Sequence, residues 1–82
     1  MLYEIYGTQN CSFCRKAKQL LMQYDKAFIF IDVAESEDIT AAFFKKFHPV
    51  SKVPQIVLDD EHIGGYNELK NSLTLDQIES II

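Results

Sequence analysis

Only two cysteines, two prolines, three glycines and no tryptophan occur in the 82 residues. With no second cysteine pair, and with His48 and His62 off zinc-finger spacing, a structural zinc site is not expected. A loop closed between Cys11 and Cys14 is too short to staple a fold, so the pair reads as reactive and suits a reducing compartment. No run approaches the ~18 apolar residues of a membrane span. Met1-Leu2-Tyr3-Glu4 enters a strand at once, without a basic segment and a long apolar stretch. No signal peptide is therefore expected, and the expected location is the cytoplasm. Basic residues are outnumbered, 8 against 12 acidic, for a net charge of −4, which argues against nucleic acid as a partner. Repeats, linkers and low-complexity segments are missing too, and the length leaves room for one core, so 1–82 is expected to be one domain.

What is present centres on Tyr6-Gly7-Thr8-Gln9-Asn10-Cys11-Ser12-Phe13-Cys14-Arg15-Lys16. An apolar run (Leu2, Tyr3, Ile5, Tyr6) precedes this stretch and a helical pattern (Ala17, Leu20, Leu21, Tyr24) follows it. A C-x-x-C at a strand-to-helix junction is the arrangement that dithiol redox chemistry needs. Cys11 falls at the helix N-terminus, where unpaired N–H groups and the helix dipole favour a thiolate. Cys14 lies one turn on, close enough to form a disulfide and in line with the buried positions Ala17 and Leu21. An accessible, attacking Cys11 and a shielded, resolving Cys14 are expected. Arg15, Lys16 and Lys18 oppose the helix dipole, a local violation that suits a functional site by favouring the Cys11 thiolate. Three further cations, Lys45, Lys46 and Lys52, flank a second region of interest, so the cations gather near the thiol and suit a small anionic substrate.

In chain order, Leu2–Tyr6 reads as a strand buried on both faces, 12–24 as a helix and Phe28–Ile31 as a second buried strand. Strand, helix, strand implies a right-handed parallel crossover. Ser36 is the expected N-cap of a second helix with Glu37 and Asp38 in its first turn. Ile39, Ala42, Phe43 and Phe47 are expected to face inward, and Pro49 to stop the helix. Val53–Leu58 reads as a strand with Pro54 at its mouth. Asp59-Asp60 reads as a tight turn into an antiparallel strand from Glu61, closed by Gly64-Gly65. The last helical region is expected in two pieces, 67–72 and one opened by the capping-box pattern Thr74-x-x-Gln77 with Leu75, Ile78 and Ile81 inward.

On Cys11-Ser12-Phe13-Cys14, Val53-Pro54-Gln55-Ile56 and Gly64-Gly65-Tyr66-Asn67-Glu68, in this order across essentially the whole chain, the sequence resembles the glutaredoxins, small members of the thioredoxin fold. The compact length is similar to that of bacterial and phage-type dithiol glutaredoxins, and the Trp-Cys-Gly-Pro-Cys of thioredoxins is missing. The resemblance implies an α/β fold with a four-stranded mixed sheet, β-α-β-α-β-β-α, and helices on both faces. It implies a glutathione-dependent thiol–disulfide oxidoreductase, acting on protein disulfides or glutathione mixed disulfides, with ribonucleotide reductase as a family-level partner and a monomer as the working form. Cys11 would attack and Cys14 would resolve. Pro54 would be the family's cis-proline facing the dithiol, and the Val53 backbone would pair with the cysteinyl part of glutathione. Gly65, Tyr66 and Asn67 would hold the γ-glutamyl carboxylate, a placement that helix N-termini favour on physical grounds.

Some positions depart from the family pattern. Thr8 stands where many members carry a lysine for the glycyl carboxylate, and Lys52 replaces the usual threonine before Val-Pro. Lys52, or a lysine of the second helix, is the expected substitute cation. Asn67-Glu68 replaces the more common acidic pair. Ser12 replaces the usual proline, as in glutaredoxins that hold a [2Fe–2S] centre between two subunits and two glutathiones; a cluster module is thus one alternative, although no metal is expected. A thioredoxin-like donor reduced by a flavoprotein reductase is another. Phe13, Tyr6, Ser12 and Arg15 flank the dithiol as candidates to shape the substrate groove, with core packing the competing reading of Tyr6.

Overall fold

A computed structural model of the chain describes the backbone of residues 1–81 and the side chains of residues 1–75. Runs of β-branched and aromatic residues make β1 (Tyr3–Gly7), β2 (Phe28–Asp32), β3 (Gln55–Leu58) and β4 (Glu61–Gly64). Helices α1 (Ser12–Gln23), α2 (Glu37–Phe47) and α3 (Tyr66–Ile81) complete the order β1-α1-β2-α2-β3-β4-α3. The sheet runs β2-β1-β3-β4; β1 is parallel to β2 and antiparallel to β3, and β3 is antiparallel to β4. This is the mixed four-stranded α/β sheet of the thioredoxin fold.

Alternation along the strands divides the core between two faces. Tyr3, Ile5 and Ile56 pack with Ala17 and Leu21 of α1 and Leu69 and Leu73 of α3. Val57 on the opposite face packs with Val33 and with Phe43 and Phe47 of α2, joined by Tyr6 and Val53. Each fully buried aliphatic side chain contributes roughly 1.5–3 kcal/mol. Ser36 caps α2 as expected, its Oγ accepting from Ile39 N–H at 3.2 Å, with Glu37 and Asp38 in the first turn. Asp59 and Asp60 both take positive φ, 47° and 72°, the conformation a two-residue hairpin turn requires.

Several expectations need correction. β2 is an edge strand rather than a buried one, and Ile29 is 44% exposed. Its apolar sequence reflects one covered face only, because Ile29 lies outside the cluster under α2. β3 begins at Gln55, not Val53, since Pro54 has no N–H for the ladder. Within α2 it is Phe43 and Phe47 that are buried, while Ile39 is half-buried and Ala42 exposed. The last helical region is one helix, not two. Thr74 sits inside it and donates its hydroxyl to the Lys70 carbonyl at 2.8 Å, which removes the need for a cap. Leu75, expected inward, is 58% exposed: the buried stripe is Leu69 and Leu73, four apart, and a residue two positions further on faces away. Gln77, Ile78 and Ile81 lie outside the residues whose side chains are described.

Candidate active site

β1 ends at buried Gly7, and Val33 N–H donates to the Gly7 carbonyl at 2.9 Å, tying the following loop to the end of β2. A second tie joins Gln9 Nε2 to Asp32 Oδ2 at 3.3 Å. The chain then enters α1 through Cys11, an N-cap in extended conformation (φ −94°, ψ 112°). Its sulfur does what a serine or aspartate oxygen ordinarily does there, accepting from Cys14 N–H at 3.1 Å. Cys11 and Cys14 form a disulfide with Cα atoms 5.1 Å apart. Cys14 is 1% exposed, whereas Cys11 is half-buried, so the two sulfurs differ in access as helical phase predicts. Where Cys11 is reduced, the same first-turn N–H favours its thiolate.

The first turn of α1 carries no acidic residue. Its cations are only partly directed as expected. Lys16 Nζ stands 4.9 Å from the centre of the Phe13 ring, and Lys18 Nζ stands 3.7 Å from that of Phe30 on β2. Lys18 is therefore engaged along the side of the sheet. Arg15 is exposed.

Phe13, 49% exposed, is the wall that the C-x-x-C shares with a groove of ≈ 610 Å³. Val53 and Pro54 form a second wall, and Gly65, Tyr66 and Asn67 a third, with Lys52 at the rim. The Phe13 and Tyr66 rings are tilted at 47° to each other, with their centres 5.8 Å apart. The Val53–Pro54 peptide is cis, as is His48–Pro49. The structure thus brings together the three separated sequence motifs. Tyr6, Ser12 and Arg15 do not line this groove. Tyr6 packs instead edge-on to Phe47 at 5.0 Å, in the core under α2. Burial, followed by the charges of Glu4 and Asp60, raises the Tyr6 pKa above its usual value of 10.0.

Groove residues to which sequence reasoning gave no binding role are Val50, Gln55 and His62; Gly64 and Glu68, both within the third motif, line the groove as well. Glu68 Oε1 accepts from Gly65 N–H at 2.7 Å, the reach-back half of a capping box without the serine. Gly64 permits this with φ +130°, and a Cβ there would lie 2.8 Å from Glu68. Gln55 Nε2 donates to the Lys52 carbonyl at 3.0 Å, and its Oε1 lies 2.7 Å from His62 Nε2. One available signal was a lone amide opening an otherwise apolar strand.

A C-x-x-C disulfide at the start of α1 on a mixed β2-β1-β3-β4 sheet defines a dithiol oxidoreductase of the thioredoxin fold. A glutaredoxin family profile matches residues 3–63. Glutaredoxin 1 of Rickettsia typhi is 37% identical over 68 residues, covering 82% of this chain and 65% of that protein. Glutaredoxin 1 of Salmonella typhimurium is 35% identical over 77 residues, covering 85% and 87%. The chain thus spans just under two thirds of the Rickettsia protein and most of the Salmonella one. A glutaredoxin 1 of Francisella tularensis, crystallised with cacodylate, superposes with a TM-score of 0.70 at 34% identity, covering 96% of each chain. A buckwheat glutaredoxin–glutathione complex shares the fold at a TM-score of 0.78 and 20% identity, over 95% of this chain and 73% of that one. The chain belongs to the glutaredoxin family of glutathione-dependent disulfide oxidoreductases, and Cys11–Cys14 is its redox-active disulfide.

Proposed function

We propose that residues 1–82 act as one glutaredoxin unit that reduces protein disulfides and glutathione mixed disulfides at the expense of glutathione. The observation carrying this reading is that Phe13, between the two cysteines, is a wall of the same groove as Val53, Pro54, Gly65, Tyr66 and Asn67. The Cys11 thiolate attacks one sulfur of the substrate; a new S–S bond forms and the second sulfur leaves as a thiolate that takes up a proton. Cys14 then attacks the Cys11 sulfur, releasing the bound thiol and closing Cys11–Cys14. Two glutathiones reopen that disulfide and depart as oxidised glutathione, so electrons and protons balance. For a glutathione mixed disulfide, a second glutathione can take the place of Cys14.

In the groove the Val53 backbone pairs with the cysteinyl part of glutathione beside Pro54, and Lys52 supplies the cation for the glycyl carboxylate. Glu68 occupies the Gly65 N–H. The γ-glutamyl carboxylate is therefore left with the N–H groups of Tyr66 and Asn67 in the first turn of α3. The working form in this reading is a cytoplasmic monomer; no described helix is long and apolar enough to cross a membrane.

The test is glutathione-dependent turnover of a glutathionylated cysteine with glutathione reductase and NADPH recycling the product. Steady turnover is expected. Silence with glutathione, together with reduction by thioredoxin reductase, would overturn the reading in favour of a thioredoxin-like donor. Visible colour after anaerobic purification with glutathione, without turnover, would favour a cluster module.

A further inference from the structure

Gln55 is the one amide side chain in the buried set of described residues, 6% exposed. An amide buried with its hydrogen bonds unmade is strongly destabilising. Here both ends are occupied, by the Lys52 carbonyl at 3.0 Å and His62 Nε2 at 2.7 Å. A carbonyl can only accept, so the Lys52 contact determines which end of the amide faces it. The Gln55 oxygen then faces His62, whose Nε2 must carry a proton and donate it. The imidazole is itself braced, its ring centre 4.9 Å from that of Phe47.

The group that this relay restrains is backbone. Across a trans peptide the C=O and the following N–H point in opposite directions. The Lys52–Val53 bond is trans. Holding the Lys52 carbonyl on buried Gln55 therefore turns the Val53 N–H away from the core, on the wall that Lys52, Val53 and Pro54 give to the groove. Among the described residues no acceptor takes the Val53 N–H. Proline at 54 has no N–H to offer beside it.

Resting on the proposed function, the geometry points to Gln55 and His62 as positioning residues. They run from β4 through β3 to aim the Val53 N–H, and so confer a preference for disulfides whose sulfur is carried on a peptide backbone. Neither touches the reacting sulfurs.

The test compares two disulfides in single turnovers of the reduced protein without free glutathione: oxidised glutathione, which carries a peptide, and 2-hydroxyethyl disulfide, which does not. Gln55→Met keeps the volume and loses both bonds. One hydrogen bond is worth about a factor of five, so the rate with oxidised glutathione should fall about fivefold while that with 2-hydroxyethyl disulfide stays within about twofold. Gln55→Glu, which cannot donate to Lys52, should fall as far. His62→Phe keeps a ring on Phe47 and should fall less, and His62→Gln should recover part of the loss. Should Gln55→Met fail to fold, His62→Phe carries the same comparison. Equal slowing of both substrates, or no slowing of either, overturns the inference alone. A wild-type protein inactive with glutathione in the coupled assay overturns the proposed function and this inference together.

Discussion

The Cys14 sulfur rests against the backbone of Gly7: a Cβ on Gly7 would stand 2.5 Å from Cys14 Sγ and 3.0 Å from Phe30 Cε2. No real Cβ tolerates the first distance. The last residue of β1 is thus kept bare so that the inner sulfur of the dithiol can lie under the sheet end, where it is shielded and within reach of Cys11. Gly7→Ala must push Cys14 or Phe30 aside, an overpacking that costs about 1–3 kcal/mol. A lower melting temperature of the oxidised protein and faster alkylation of Cys14 in the reduced protein are expected. Unchanged values for both would show that the neighbours yield freely.

The unequal access of the two sulfurs predicts unequal consequences of removing them. Cys14→Ser should retain turnover of a glutathione mixed disulfide and lose reduction of a protein disulfide that needs a resolving thiol. Cys11→Ser should lose both, down to the rate of uncatalysed thiol exchange. The assay is the glutathione-coupled one applied to each substrate in parallel. Full activity in Cys11→Ser would reverse the assignment.

Lys52 has an exposed side chain at the rim of the groove. Removing a cation that meets a carboxylate in such a place costs about 0.2–1 kcal/mol, at most about a fivefold change. Lys52→Ala should therefore raise KM for the glutathionylated substrate up to about fivefold and leave kcat nearly unchanged, with the rise shrinking at high salt. An unchanged KM would move the cation's role to the lysines of α2.

Tyr6 supplies a pH dependence whose sign follows from its raised pKa. In the unfolded chain the phenol ionises near its usual value of 10.0, and in the folded chain only at higher pH. Its contribution to stability is fully present below the unfolded pKa and is lost as pH rises through the folded one. Tyr6→Phe should remove that part of the alkaline loss, so the urea midpoint of wild type should fall relative to that of the variant on going from pH 8 to above pH 10. Parallel curves across that range would show that Tyr6 ionises equally in both states.

Much of the molecule was legible in the sequence because its signals are contiguous. A strand run, two thiols three apart and a helical stripe place the dithiol at a helix N-terminus by covalent spacing and helical phase alone. Ser36 followed by Glu37 and Asp38 announced the start of α2, and Asp59-Asp60 the hairpin, for the same local reason. What stayed hidden depends on partners distant in the chain. The edge position of β2 follows from strand order, which nothing within Phe28–Asp32 encodes. The continuity of α3 through Thr74 was decided by Leu69 and Leu73 packing on Tyr3 and Ile5 and by a hydroxyl bonding inside the helix, so tertiary burial overrode a valid local cap signal. Gln55 and His62 look like an ordinary amide and an ordinary surface imidazole until the β3–β4 pairing sets them 2.7 Å apart. The local chemistry of the chain determined that it carries a reactive dithiol on an α/β frame. Only the tertiary structure decided which strand lies at the sheet edge, that the last helix runs on through Thr74 and that Gln55 meets His62, because burial and hydrogen-bond direction are properties of packed neighbours and not of sequence spacing.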